Sequence, residues 1–417
     1  MSSDEIIQPI RKNWSAEKME SIKDKVAIVG MGCTKFGENW GKSYDDMIIE
    51  AVYEAYEDAG IDPRDIQAYW IGSYWSGLPA PSMPLSTILK VDYKPVTHIE
   101  NMCATASDAL RNATYAVASG ACDIALAVGA EKLKDSGFSG LPTDEIAMGI
   151  TSTAPNTFRS RNFTAPSHFA MMATSYFNKY GLSPEEGKRM LAKIMVKNHH
   201  NGSLSPKAHF QREITIEQVL NAPIIAWPLG LFDCCGVSDG AAAAILVRGD
   251  KARSFRKDPI FVKALQIAVG WQEGYMNPQH DWTMVKETYQ AGLAAYAEAG
   301  IKNPRNEISM AEVHDCFSIT EAVIYEDLQF TRRGGAREEV EAGTFELTGE
   351  LPVNMDGGLK CFGHPIGATG LRMMYEIYKQ IQGKAGPRQV KHPKLGLTHN
   401  LGGTPGGATV SVSIVGP

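Results

Sequence analysis

The sequence predicts a layered α/β protein made of two similar halves, with an excursion inserted into the first. Three observations carry that expectation. Short apolar runs of strand length alternate with stretches of helical periodicity, the pattern of a largely parallel sheet covered by helices. A segment of the first half recurs in the second, AYEDAGIDPRDI at residues 55–66 and AYAEAGIKNPRNEI at 295–308. Self-similarity at so long a spacing means two copies of one domain rather than a solenoid. Residues 131–230 then change character, with a Ser-, Thr-, Asn- and Pro-rich stretch from Thr151 to Ala165 between helical segments.

Residues 1–24 read as a charged, partly helical extension. Val26-Ala27-Ile28-Val29-Gly30 is an apolar run closed by glycine, a buried strand. Met47, Ile48, Ala51, Val52, Ala55 and Tyr56 share one face of a helix over 44–59. Gly60 suits its left-handed cap. Strands are expected at 66–71 and 96–99, a helix at 104–118 and a strand at 123–128. Helices at 167–179 and 185–200 fill the excursion, and the sheet resumes at 241–247. The second copy supplies a strand at 309–313, a helix opened by Gly367 and a strand at 395–398. The expected division is therefore 25–130 with 231–255 for the first half, 131–230 for an inserted loop domain and 256–417 for the second half. Sites in such folds lie where the strand ends of both halves meet.

Composition excludes several classes of function. Lys and Arg number 41 against 47 Asp and Glu, a formal charge of −6, so no nucleic-acid partner is expected. No apolar run approaches the length of a spanning helix, so no membrane partner is expected either. The seven cysteines include no CxxC pair, and adjacent Cys234 and Cys235 are poorly spaced for chelating one zinc. Reduced thiols in a cytoplasmic compartment, with no metal and no redox cofactor, are the expectation. The 40 glycines point to tight turns and close backbone approaches.

Four stretches carry candidate chemistry. Cys103, in ENMCATA, follows a short strand and opens a helix of small residues. A helix N-terminus favours a thiolate, and the N–H of Cys103 can face an oxygen of whatever the sulfur attacks. An inert buried cysteine is the plain alternative. His364 lies in GGLKCFGHPIGATG, between glycines and pinned by Pro365, and its ordinary pKa suits a general base. His314 and Cys316, in HDCF, are two apart on an extended chain and face one side, with Asp315 turned away. HNLGGTPGG, at 399–407, is either a plain glycine loop or a set of N–H donors for an oxyanion.

Taken together, the four stretches resemble the thiolase superfamily over nearly the whole chain from about residue 25. Cys103 falls where thiolases carry the acylated cysteine, and GHPIGATG matches the thiolase GHPxGxxG motif. FDCCGVSDGAA, at 232–242, resembles the thiolase segment leading out of the loop domain into the last strand of the first half. The subtype departs from degradative thiolases, which carry Asn-Glu-Ala-Phe in place of HDCF and a second catalytic cysteine where Asn400 stands. Sterol-carrier-protein-type and archaeal acetoacetyl-CoA thiolases share the HDCF and HNLG pair, and benzoylsuccinyl-CoA thiolase is similar.

The resemblance implies a thiolase fold of five α and β layers and a CoA-dependent acyltransferase working on a 3-oxoacyl-CoA by Claisen chemistry. It implies an acyl group on Cys103, His364 as base, Cys316 as the acid/base thiol, and His314 with His364 at the enolate oxygen. An oxyanion hole is expected from the N–H of Cys103 and the Gly402-Gly403 turn. Coenzyme A enters as a substrate. Its phosphates are assigned to Arg189, Lys193 and Lys197, on one helix face of a kind that is more often a solvated surface than a phosphate site; Arg159, Arg161, Lys188 and Lys360 are further cations. Trp70, Tyr74 and Trp75 suit either an aromatic wall for a bulky acyl group or packing. A homodimer is expected, with a small OB-fold, zinc-ribbon partner subunit as a further association. A thiolase-like aldolase and a non-catalytic acyl-CoA-binding subunit are the competing expectations.

Overall fold

The computed structural model describes residues 21–74, 82–136 and 164–417. Most of the N-terminal extension, Trp75, Arg159, Arg161 and most of the Thr151–Ala165 stretch lie outside the described residues. The strands are β1 (Val26–Cys33), β2 (Ala68–Gly72), β3 (Val96–Ile99), β4 (Ile124–Glu131), β5 (Ile224–Ala226), β6 (Leu229–Gly230), β7 (Gly240–Arg248), β8 (Ile260–Val269), β9 (Met310–Glu312), β10 (Gly396–Thr404) and β11 (Gly407–Gly416). β5 and β6 form a small hairpin, and the other nine make one sheet in the order β3-β2-β4-β7-β1-β8-β11-β10-β9.

The internal repeat is visible in that order. Inward from the first edge, β3, β2 and β4 run parallel, and β7 and β1 each reverse direction. From the other edge, Val353 bridges Ala311 in parallel, β9 and β10 are parallel, and β11 and β8 each reverse. The halves join through Ala27↔Phe261 and Ile28↔Ile260 of β1 and β8. The repeated helices, Tyr44–Ala59 and Lys286–Ala299, precede β2 and β9 and end at left-handed Gly60 and Gly300. Their burial stripes follow the 3.6-residue period, with Met47, Ile48, Ala51, Val52, Ala55 and Tyr56 inward in the first.

β8 and β11 are not among the strands that the apolar runs predicted. Lys263 and Gln266 interrupt β8, and Thr409, Ser411 and Ser413 alternate with Val410, Val412 and Ile414 in β11. Polar residues three apart break the apolar run of β8, and β11 reads as period-two alternation. β2 begins at Ala68 rather than at residue 66, because Pro63–Asp65 form a single helical turn first. In the excursion, the helices Ala165–Lys179 and Pro184–Ser203 are long and well packed, the second opened by a Ser183–Glu186 capping box.

At the centre, the Thr105–Ala118 and Thr369–Ile381 helices, one from each half, share a core containing Ala106, Leu110, Ala368, Leu371 and Met374. Small residues permit the approach. A Cβ on Gly370 would lie 2.1 Å from Ser107 Oγ, and Ser107 donates to Asn400 Oδ1 at 2.7 Å. Arg372, fully buried beneath, pairs with Glu312 and Asp356, each at 2.8 Å. No helix among the described residues is long and apolar enough to cross a membrane.

Gly129, on β4, faces the same seam, and a Cβ there would lie 2.1 Å from the carbonyl oxygen of Gly367. Gly129→Ala is expected to destabilise the chain by about 1–3 kcal/mol through overpacking. A lowered midpoint in urea unfolding checks this; an unchanged midpoint means that the seam is loose.

Candidate active site

Cys103 sits where β3 hands the chain to the central helix of the first half. Met102 adopts a left-handed φ of 50°, which throws the next residue toward the seam. Gly402, at the end of β10, is the matching surface, since a Cβ there would come within 2.9 Å of the Cys103 nitrogen. The N–H groups of Gly403 and of Cys103 itself both reach the sulfur. Cys103 keeps 9% of its surface exposed and packs with Leu133 and Ile366, with Tyr74 and Val237 alongside. Burial pushes its thiol up to about 12; the two N–H groups pull the other way, and Glu131 and Glu100 add to the rise. The helix N-terminus favours a thiolate in the bare sequence, but desolvation outweighs it, and the resting sulfur is protonated.

His364 comes from the second half, on the loop between the short helix Gly358–Cys361 and the central helix. Thr369 Oγ1 donates to the Pro365 carbonyl at 2.9 Å, so it accepts from His364 Nδ1–H at 2.8 Å. This network fixes the tautomer and leaves Nε2 as a bare acceptor. Burial lowers the imidazole pKa to about 3, with Arg372 adding to the fall. Gly363, at φ 124°, lets the loop pass Ser238, whose Oγ lies 2.7 Å from where a Cβ would be. Glu131 holds the loop from the first half, accepting from the N–H of Gly367 at 3.0 Å and of Tyr74 at 2.9 Å.

His314, Asp315 and Cys316 follow β9. The alternation expected of extended chain is present. Asp315 turns away and accepts from the N–H of Leu359 at 2.5 Å, the N–H of Lys360 at 3.2 Å and Asn198 Nδ2 at 2.9 Å. His314 turns inward, its ring edge-on to that of His364 at 5.1 Å between centroids. The Cys103 sulfur and one ring nitrogen from each of His314 and His364 lie within 4.8 Å of one another. Burial, then the neighbouring His364, His399 and Arg372, hold His314 well below its ordinary pKa. The Cys316 sulfur is 3.9 Å from Thr320 Oγ1. Burial raises its thiol, and the nearby thiols of Cys235 and Cys103 oppose its ionisation further. Asn400 is engaged by Ser107 and Met373.

The cations assigned to phosphates are placed differently from one another. Arg189 and Lys193 both pair with Glu341, at 3.5 Å and 2.6 Å. Lys197 leaves that face altogether: its ammonium is buried, 2.6 Å from Glu321 and 2.7 Å from the Val353 carbonyl. The helical period places its Cα with the others, but a buried carboxylate draws the long side chain inward. Lys188 pairs with buried Asp233, and Lys360 donates to the Cys234 carbonyl at 2.6 Å beneath the rings of Phe210 and Phe232. Of the aromatic residues, Tyr74 reaches the Cys103 cluster and Trp70 packs against the shared core. Glu131 and Thr369 hold the site residues in place, Thr369 from within the GHPIGATG stretch itself and Glu131 from outside all four stretches. Glu131 had a signal in the sequence, a single carboxylate closing the apolar strand IALAVGAE.

Residues 26–250 match the family described as thiolase, N-terminal domain, and residues 268–415 match thiolase C-terminal domain-like. The chain is 40% identical over 392 residues to an acetyl-CoA acetyltransferase of Methanothermobacter thermautotrophicus, covering 93% of this chain and 98% of that one. It is 30% identical over 387 residues to benzoylsuccinyl-CoA thiolase subunit BbsB of Thauera aromatica, covering 92% and 96%. A solved structure named Ltp2-ChsH2(DUF35) aldolase superposes with a TM-score of 0.81 at 26% identity, covering 95% of this chain and 99% of that one.

A protonated Cys103 predicts slow alkylation. Iodoacetamide at pH 7.5 should modify Cys103 far more slowly than a free cysteine, with the rate rising from pH 9 toward 12 as the thiol ionises. Peptide mass spectrometry reads this; rapid modification at pH 7.5 would mean a resting thiolate.

Proposed function

The chain belongs to the thiolase family of acyltransferases, and from that premise we propose that it makes or breaks the carbon–carbon bond of a 3-oxoacyl-CoA through an acyl group on Cys103. The observation that carries this reading is the meeting of a thiol from one half with two neutral imidazoles from the other, all within 4.8 Å.

In the cleavage direction, the bare Nε2 of His364 takes the thiol proton as the sulfur attacks the 3-oxo carbon. Coupling the two events suits a thiol and an imidazole that both resist charge. The alkoxide is received by the N–H groups of Cys103 and Gly403, and each such donor is worth roughly 3 kcal/mol in related chemistry. The carbon–carbon bond breaks, the acyl-CoA enolate leaves, and its oxygen is held by His314 and His364. Cys316 protonates the departing carbon, then draws the proton from incoming CoA, whose sulfur attacks the thioester on Cys103. The acyl–Cys103 bond breaks as the new thioester forms, and the Cys103 sulfur recovers its proton from His364. Dividing one hard step into two through a covalent thioester is the general gain. Condensation is the same path reversed.

Leu133, Ile366, Val237 and Tyr74 border the sulfur and form the wall against which the acyl group would lie, so a bulky or aromatic acyl-CoA is the substrate class proposed. We place the protein in the cytoplasm as a homodimer with a small OB-fold partner. Support for a partner comes from names alone: one relative is called a subunit and one neighbour pairs this fold with a DUF35 protein. That neighbour also supports a lyase reading, in which no acyl group need form on a thiol.

Incubation with acetoacetyl-CoA and with an aromatic 3-oxoacyl-CoA, followed by intact-mass measurement, decides between them. The expected result is an acyl adduct on Cys103, lost in Cys103→Ala; an adduct on Cys361, or cleavage without any adduct, sinks the proposal. Cys316→Ala is expected to lower thiolysis roughly 10²–10⁴-fold, the usual worth of a positioned acid/base group, as read by loss of the 3-oxoacyl-CoA absorbance. Full turnover by that variant would remove Cys316 from the mechanism.

A further inference from the structure

We propose that Cys103, His314 and His364 also form a binding site for one soft divalent cation, zinc above all, and that the bound ion holds the enzyme inactive. Among the described residues this is the one group of three or more His, Cys, Asp or Glu whose donor atoms gather closely enough to hold a metal. It owes nothing to Cys234 and Cys235, the adjacent pair whose spacing argues against chelation.

The donor chemistry fits zinc, which takes thiolate sulfur at about 2.3 Å and imidazole nitrogen at about 2.0–2.1 Å in tetrahedral geometry. Those bond lengths place the donors roughly 3.3–3.6 Å apart. From separations no greater than 4.8 Å, small side-chain rotations close the set. The supporting contacts are already in place. His364 donates Nδ1–H to Thr369, which orients the ring and leaves Nε2 for an ion, the usual outer contact of a metal-bound histidine. Nδ1 of His314 is buried without a hydrogen-bond partner, and one nitrogen of the same ring lies within reach of the other two donors.

Charge allows it as well. A thiolate and two neutral imidazoles leave an excess charge of +1 on the zinc centre. Glu131 and Glu100 act on Cys103 with the compensating sign. Arg372, whose positive charge acts on both imidazoles, is itself held by Glu312 and Asp356. Three protein ligands leave a fourth position open, the pattern of a reactive zinc site rather than a closed structural one. Loading balances simply: the Cys103 S–H bond breaks, an S–Zn bond forms, and one proton is released per ion. Binding does not depend on the reaction proposed above; the loss of turnover does, because the ion takes both the nucleophile and its base.

Equilibrium dialysis of the full chain against buffered zinc, with metal counted by atomic emission, tests the site. One zinc per chain, one proton released and a thiolate-to-metal charge-transfer band with cobalt(II) are expected, together with EDTA-reversible loss of thiolysis. Cys103→Ala, His314→Ala and His364→Ala should each weaken retention roughly 100-fold or more, since even outer-contact losses cost 10–100-fold. Cys234→Ala with Cys235→Ala should leave retention unchanged, and circular dichroism confirms folding. Where Cys103→Ala does not fold, Cys103→Ser repeats the count. No retained zinc, or equal retention without the Cys103 thiol, overturns the proposal. Intact zinc binding with no acyl adduct on Cys103 would overturn the acyltransfer reading and leave the metal site standing.

Discussion

A buried carboxylate from one half of the molecule, Glu131, grips the peptide N–H of Gly367 from the other at 3.0 Å. The placement of His364 beside Cys103 depends on that bond. Charge-assisted hydrogen bonds in a low-dielectric seam are among the stronger polar contacts a protein makes. Here the bond spans a close backbone approach as well, since neither Gly129 nor Gly367 has room for a side chain. The Ser107–Asn400 bond adds a second polar tie across the same seam. The two halves are thus held in register where their chemistry meets.

That closeness has an electrostatic consequence. The sulfur and the two imidazoles that face it are all pushed toward their neutral forms by burial. A thiolate–imidazolium pair is therefore not the resting state, and a proton must move when a substrate arrives to share the charge. N–H groups from Cys103 and Gly403 stand ready at that point. Neutrality also leaves lone pairs available in a tight space, so one arrangement suits both acyl transfer and a soft metal ion.

Much of this was legible in the chain. The repeat at 55–66 and 295–308 announced the two halves, and the strand order shows them as copies. Cys103, His314, Asp315, Cys316 and His364 stood out by residue type beside glycines and strand ends, and period-two alternation correctly sent Asp315 away from His314. Less was legible where side-chain length mattered. Lys197 falls on the same helix face as Arg189 and Lys193, but a Lys has enough reach to abandon that face for Glu321. β8 and β11 escaped notice because polar residues break the apolar run of one and alternate along the other.

The sequence by itself determined the alternation of strands and helices, the duplication, and the candidates for the reactive groups. These depend on local periodicity and on residue chemistry, which need no neighbours to be read. Only the tertiary structure decided the protonation of Cys103, the tautomer of His364 through Thr369, the role of Glu131, and the meeting of three donor atoms within 4.8 Å. Each of those depends on burial and on contacts between residues hundreds of positions apart, and such distances are set by packing rather than by any pattern along the chain.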